Sequence, residues 1–387
     1  VEPFRPTDDS NPYLAFRKYL AVDSFGAAIG LSETERIRII QETNEAVASI
    51  AGTGFLRTPL YRSSELSDAL GFTAEGGVWI KDETHNVAGS HKARHLFTEL
   101  LHLLFTEAAG VAPWTPSTRP PLAIASCGNA AIAASTLAAA VQWPIYVHVP
   151  PAATSEVLVA LASLDADVRV CPRLPDDAAG DPCVLRFREA VAVGAIAFGV
   201  QGTENAWCLD GGRTIGWEMT EEMGPLMDRI FIQVGGGAFA ACVGASLRSA
   251  GVHPKLHAVQ TEGCAPLARA WEKALATGGA RNAGPRWNEC MWPWETTPVS
   301  IADGILDDET YDWIGVLDSM ADTGGAPVVV SEQHVMQAYE WAHSLTSVNV
   351  SATGVAGLAG LIAMRSDIAN DERVVVVMSG VERVEAN

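Results

Sequence analysis

Lys92 lies in the run Asp82-Glu83-Thr84-His85-Asn86-Val87-Ala88-Gly89-Ser90-His91-Lys92-Ala93-Arg94-His95 and is one of only five lysines in the chain. A strand-like stretch, Val78-Trp79-Ile80, leads in, and Leu96, Phe97, Leu100, Leu103 and Leu104 follow at helical spacing. A lysine amine placed this way, beside small residues, can form an imine with an aldehyde and afterwards move a proton. Alone, the motif reads equally well as a solvated lysine opening a helix. Three further turns shift that balance: Ser126-Cys127-Gly128-Asn129-Ala130, Gly235-Gly236-Gly237-Ala238 and Ser379-Gly380, each after a buried-strand pattern. Glycines at a strand-to-helix turn let several backbone N–H groups converge on an anion, and the helix start adds favourable partial charge. Such a turn also suits a dinucleotide, but the spacing here is not Gly-x-Gly-x-x-Gly.

These four turns, in this order, resemble the fold-type II pyridoxal-phosphate (PLP) enzymes: serine/threonine dehydratases, threonine synthases and the tryptophan synthase β chain. The resemblance runs from about Thr58 to Gly380 and implies PLP as cofactor, with Lys92 as its Schiff-base lysine. It implies that Gly235, Gly236, Gly237 and Ala238 hold the phosphate. His91 stands where most dehydratases have an aromatic or aliphatic residue. It resembles the tryptophan synthase β-chain histidine that helps hold the phosphate, a structural histidine being the alternative. Ser126, Cys127, Gly128 and Asn129 are expected to bind the substrate α-carboxylate, Asn129 also reaching the cofactor's 3′ oxygen. Cys127 replaces a serine that racemases use as a second proton carrier; a thiol there is either an acid–base group or a size match. The loop lacks the glutamate that the tryptophan synthase β chain uses for indole addition, which counts against that reaction. Ser379 is expected at the pyridine nitrogen. A serine keeps the ring largely neutral and a weaker electron sink, which suits proton removal coupled to loss of a β substituent better than transamination.

Three more runs resemble the dehydratase branch: Gly211-Gly212-Arg213-Thr214-Ile215-Gly216-Trp217-Glu218, Ala258-Val259-Gln260-Thr261-Glu262-Gly263 and Ser300-Ile301-Ala302-Asp303-Gly304-Ile305. Gln260 replaces a glutamate that ligates a cation in several relatives, so no metal is expected. Asn11-Pro12 and Arg17-Lys18-Tyr19-Leu20 resemble the start of threonine synthases instead. Val381-Glu382-Arg383 departs from the glycine and asparagine that follow Ser-Gly in the dehydratases.

The elements that must position these residues alternate after Thr58-Pro59-Leu60. Strands are expected over 121–125, 145–149, 168–171, 229–234, 256–260 and 373–378, with helices over 130–141 and 155–163. Near-continuous apolar runs fit strands buried on both faces of an α/β sheet. Before them, Ser32-Glu33-Thr34-Glu35 caps a helix that continues to Ile50. The expected fold class is α/β: two three-layer domains with largely parallel sheets. The resemblance implies a large PLP-binding domain, 1–87 and 188–387 including an N-terminal extension, and a small domain, 88–187, carrying the carboxylate loop. Residues 277–298 hold three tryptophans at low periodicity and read as a surface insertion packing its own aromatics, or as a substrate-covering or subunit-contacting loop.

A length of 387 residues suggests two domains. The net charge of −20 argues against nucleic-acid or anionic-membrane partners. No transmembrane run or signal segment is evident, which favours a cytoplasmic protein. Seven scattered cysteines with no Cys-x-x-Cys pair read mostly as small core residues, not disulfides or zinc ligands. The function expected is PLP-dependent β-elimination on a small β-substituted α-amino acid. The alternatives are β- or γ-replacement, racemisation through Cys127, or a non-catalytic PLP-binding homologue. The family is commonly homodimeric.

Overall fold

The computed structural model describes residues 4–178, 180–281 and 283–383; the domain limits expected at residues 1 and 387 lie outside these. Ten strands occur among the described residues: β1 (Leu60–Ser63), β2 (Gly77–Asp82), β3 (Leu122–Ala125), β4 (Ile145–Val149), β5 (Asp167–Val170), β6 (Ile196–Ala197), β7 (Arg229–Gln233), β8 (Lys255–Thr261), β9 (Pro327–Val330) and β10 (Arg373–Met378). They divide between two compact units. The larger comprises Thr58–His85 and Arg213–Glu382 with Phe4, the smaller Arg5–Arg57 and Asn86–Gly212 with Arg383.

The larger unit carries a six-stranded sheet in the order β1-β2-β10-β7-β8-β9. Only the β1–β2 pair is antiparallel. Its central strands β7 and β10 are apolar over most of their length because both faces are covered, and the period of two shows which face each residue serves. Ile230, Ile232, Val375 and Val377 join one core with the helices Ala238–Ser249 and Trp313–Thr323. Phe231, Val374 and Val376 join the other, with Glu332–Leu345 and Ala352–Ala363. The tryptophan-rich segment packs into the first core: Trp287 lies edge-on to Trp313 at 5.5 Å, and Cys290 and Met291 are buried. Arg269 stacks at 3.9 Å on Trp292.

Lys81 and Glu218 are both fully buried in this unit, with Nζ 2.6 Å from the Glu218 carboxylate and 2.6 Å from Thr58 O. The glutamate of the 211–218 run therefore neutralises a buried lysine.

The smaller unit has a parallel sheet in the order β5-β4-β3-β6. The helices Asn129–Ala140, Ser155–Ser163 and Pro182–Ala192 pack on it. Contrary to the expected domain limits, the N-terminal stretch 5–57 belongs here and not with the larger unit, and the unit extends to Gly212. The reason is aromatic packing and buried polar pairing. Tyr13 sits 5.1 Å from Phe55 and 4.5 Å from Phe97, and its hydroxyl donates to Arg94 O at 2.7 Å. The Ala21 and Val22 amides donate to Asp210 at 3.0 and 2.9 Å. Asp23 accepts from both Arg17 and Arg36 at 2.8 Å, so the Arg17-Lys18-Tyr19-Leu20 run serves the scaffold. The helix expected from Ser32 forms over Glu33–Ala51 with a complete Ser32/Glu35 capping box.

Candidate active site

In the smaller unit, Lys92 opens the helix Lys92–Ala108. Ala93, Leu96, Phe97, Leu100 and Leu101 anchor that helix at zero exposure, while Lys92 itself is half-buried. The preceding turn, Val87–Gly89, is sharp. Ala88 adopts φ 55°, a left-handed conformation that costs a non-glycine residue on the order of 1 kcal/mol. Asn86 holds the turn by accepting the Val87 N–H at 2.8 Å. Behind Lys92, burial first and the Lys92 charge second push His95 down to about 3. His91 is driven well below the ordinary imidazole range by the same causes, so both rings are neutral. His95 Nδ1 meets Cys208 O at 2.8 Å. A Cβ on Gly212 would lie 2.3 Å from the His95 ring, so that glycine lets the chain pass the helix.

The loop Ser126-Cys127-Gly128-Asn129 links β3 to the helix Asn129–Ala140, which packs against both the Val87–Gly89 turn and the Lys92 helix. Ser126 N–H donates to His148 O at 3.1 Å, and the Ser126 hydroxyl accepts from Gly128 N–H at 3.3 Å. The helix start has no side-chain cap, Cys127 is exposed, and no atom lies within 4 Å of a Cβ built on Gly128. Sequence reasoning missed Arg383. Its guanidinium donates to Asn129 Oδ1 and, at 2.9 Å, to Ala88 O, tying the loop to the Lys92 turn. Because arginine has no acceptor, Asn129 presents its oxygen to Arg383 and keeps its Nδ2 donor for another partner. The departure at Val381-Glu382-Arg383 was the available signal, but no spacing rule links residue 383 to residue 129.

In the larger unit, Gly235-Gly236-Gly237 joins β7 to the helix Ala238–Ser249, again with no side-chain cap. Gly237 takes φ 95°, and Cβ atoms on Gly235 and Gly237 would lie 2.2 Å from Asp307 Oδ2 and 2.8 Å from Thr310 Cγ2. The chain following the Ser300–Ile305 run therefore dictates these glycines. Gln260 donates to Val234 O and Thr310 Oγ1 at 3.3 Å and accepts from Leu267 N–H at 2.9 Å, locking the turn in place. Ser379, at the end of β10, is buried, its N–H donating to Gly354 O at 3.1 Å. Gly354 is required there: a Cβ would lie 2.1 Å from Ser379 O. Among the described residues no His/Cys/Asp/Glu group is arranged to hold a metal, and no helix is long and apolar enough to cross a membrane.

Each unit thus gathers part of the expected set. The smaller brings together His91, Lys92, Ser126, Cys127, Gly128 and Asn129, and the larger holds Gly235, Gly236, Gly237, Ala238 and Ser379. Both parts offer uncapped helix starts beside small residues, which suits an anionic cofactor and an anionic substrate.

The solved structure of maize serine racemase superposes with a TM-score of 0.68 at 18% identity, covering 89% of this chain and 94% of that one. The processed form of threonine deaminase isoform 2 from Solanum lycopersicum gives 0.68 at 17%, covering 100% and 95%. A pyridoxal 5′-phosphate-dependent aspartate racemase gives 0.67 at 18%, covering 89% and 96%. At these identities the likeness shows a shared fold. No curated protein sequence matches significantly. A family model described as pyridoxal-phosphate dependent enzyme matches residues 52–380, and with most of the chain so covered this protein belongs to that family.

Proposed function

We propose that this enzyme is a PLP-dependent lyase that removes a β substituent from a small α-amino acid, releasing a 2-oxo acid and ammonia. The observation that carries the reading is the joining, within one unit, of a half-buried Lys92 at a helix start to the open Ser126–Asn129 turn. The residues present fit the cofactor. The glycines at 235–237 bring backbone N–H groups to a helix start that Ala238 opens, the arrangement a phosphate takes, with the Asp307 carboxylate beside Gly235. His91, neutral in its buried setting, is the proposed additional donor to the phosphate. When bound, the cofactor supplies the aldehyde that captures the substrate amine and the ring that withdraws electrons from Cα.

Lys92 would supply the amine that holds the cofactor and the base that takes the Cα proton. The Ser126 hydroxyl and the Cys127–Asn129 N–H groups hold the α-carboxylate, which fixes the Cα–H bond relative to that base. With the cofactor bound, Asn129 Nδ2, oriented by Arg383, would be the donor to its 3′ oxygen. The Ser379 hydroxyl would be the partner of the pyridine nitrogen, one that leaves the ring uncharged. Metal dependence is not proposed. The resemblance supports a homodimer acting in the cytoplasm.

A second reading has its own observation. Cys127 is exposed on the same turn, and a thiol there is a candidate for the second proton carrier that racemisation requires. Replacement chemistry is the third.

The test is release of 2-oxo acid and ammonia from a panel of β-substituted amino acids, with Lys92→Ala as control. Release by the wild type alone supports elimination. Loss of optical activity without release, abolished by Cys127→Ala, moves the reading to racemisation.

A further inference from the structure

Several sheltered arginines of this acidic chain, net charge −20, sit on carboxylates, while Arg286 and Arg365 bond neutral oxygens. Arg17 and Arg36 share Asp23, Arg119 pairs with Glu107, and Arg229 pairs with Glu372. Arg383 does not. Its partners are two neutral oxygens, Asn129 Oδ1 and Ala88 O, although it is half-buried. Burial lowers its pKa, and no carboxylate among the described residues offsets that. A guanidinium removed from water without an anion is unfavourable, and bringing one in recovers that free energy. Among the described residues two of its five N–H donors are engaged, and the others form part of a planar fork suited to a carboxylate.

We propose that Arg383 is the receptor for a second anionic group on the substrate, so that this enzyme acts on amino acids whose side chain bears a short carboxylate or equivalent anion. This rests on the amino-acid lyase reading above. The α-carboxylate is already assigned to the N–H groups of the 126–129 turn, and the phosphate to the glycines at 235–237. Arg383, bonded to Asn129 at the end of that turn, is placed to meet a charge on the substrate side chain. Because Arg383 bonds directly to Asn129, the last residue of the carboxylate turn, the two receptors share one rigid frame. That frame selects a short diacid of the 3-hydroxyaspartate type over a long one. The chemistry balances without an oxidant: the water lost across Cα and Cβ is regained when the nitrogen is hydrolysed off, giving a 2-oxo diacid and ammonia.

Two measurements on the holoenzyme test this. The first is calorimetric binding of succinate against propionate. The second is the ratio of kcat/KM for 3-hydroxyaspartate to that for serine. Each is made on wild type, Arg383→Ala and Arg383→Lys. The wild type is expected to favour the dianion on the order of 100-fold in both, Arg383→Ala to lose that preference, and Arg383→Lys to keep part of it. Equal losses for both substrates in Arg383→Ala, or no succinate preference in the wild type, overturn the proposal. Succinate preference that depends on Arg383, with no turnover of either amino acid, keeps the receptor and rejects the lyase reading instead.

Discussion

The two units differ in how tightly they hold several of their polar residues and glycines. In the larger, the placements are tight: Ser379 is 3% exposed, Gln260 uses both ends of its amide, and Lys81 is fully buried against Glu218. In the smaller, Lys92 is half-buried, Cys127 is exposed and Gly128 borders open space. The glycines make the contrast sharpest. Gly235 lacks a side chain because Asp307 occupies its place, whereas nothing stands within 4 Å of the position a Gly128 side chain would take. On the proposed assignment, the cofactor takes the fixed receptor, and the substrate and the lysine that moves take the open one.

The contrast is tested most strongly at its two lysines. Lys92→Ala should lower 2-oxo acid release by on the order of 10³-fold or more and abolish the lysine-dependent cofactor absorption, with the far-ultraviolet dichroism unchanged. Disturbing Lys81 should do the reverse. Glu218→Gln leaves a buried ammonium without its counter-ion and should cost about 3–5 kcal/mol in urea unfolding. Next come the glycines. Gly235→Ala forces Asp307 aside and should cost about 1–3 kcal/mol and weaken cofactor retention in dialysis. Gly128→Ala should change stability by no more than about 0.5 kcal/mol while raising substrate KM. Equal destabilisation by the two alanines would erase the distinction between receptors.

Much of this was legible before the coordinates. The apolar runs that became β7, β8 and β10 and the Ser32 capping box are local patterns, and local patterns survive folding. The domain limits were not legible. What assigns residues 5–57 to the smaller unit is Tyr13 meeting Phe55 and Phe97, and Asp210 receiving the Ala21 and Val22 amides, pairings across as many as 189 positions. Arg383 was hidden for the same reason, since its partners lie 254 and 295 residues away. Glu218 was visible as a family match, but its task became readable only once Lys81 stood beside it.

The smallest expected effect lies on the Lys92 helix, where two buried groups titrate with opposite signs. Burial raises the Glu99 carboxyl well above its usual range, a Gly199 N–H at 3.1 Å offsetting only part of this. Burial therefore favours the protonated form of Glu99 in the folded protein, while the unfolded chain ionises it near 4.3. Its contribution to stability is complete below about pH 4.3 and is lost as pH rises through the raised folded value. His95 runs the other way. Its folded value of about 3 lies below the unfolded imidazole near 6.5, so its contribution is complete above about pH 6.5 and is lost as pH falls toward 3. Glu99→Gln keeps an acceptor for Gly199 and removes the ionisation. Its thermal midpoint should exceed that of the wild type at about pH 8, with the gap closing by about pH 4 and the His95 acid limb unchanged in both. A gap of the same size at both pH values would mean that Glu99 is ionised in the folded protein. The buried face of the helix would then tolerate a charge, and the preference for neutral groups seen at His91 and His95 would not extend along it.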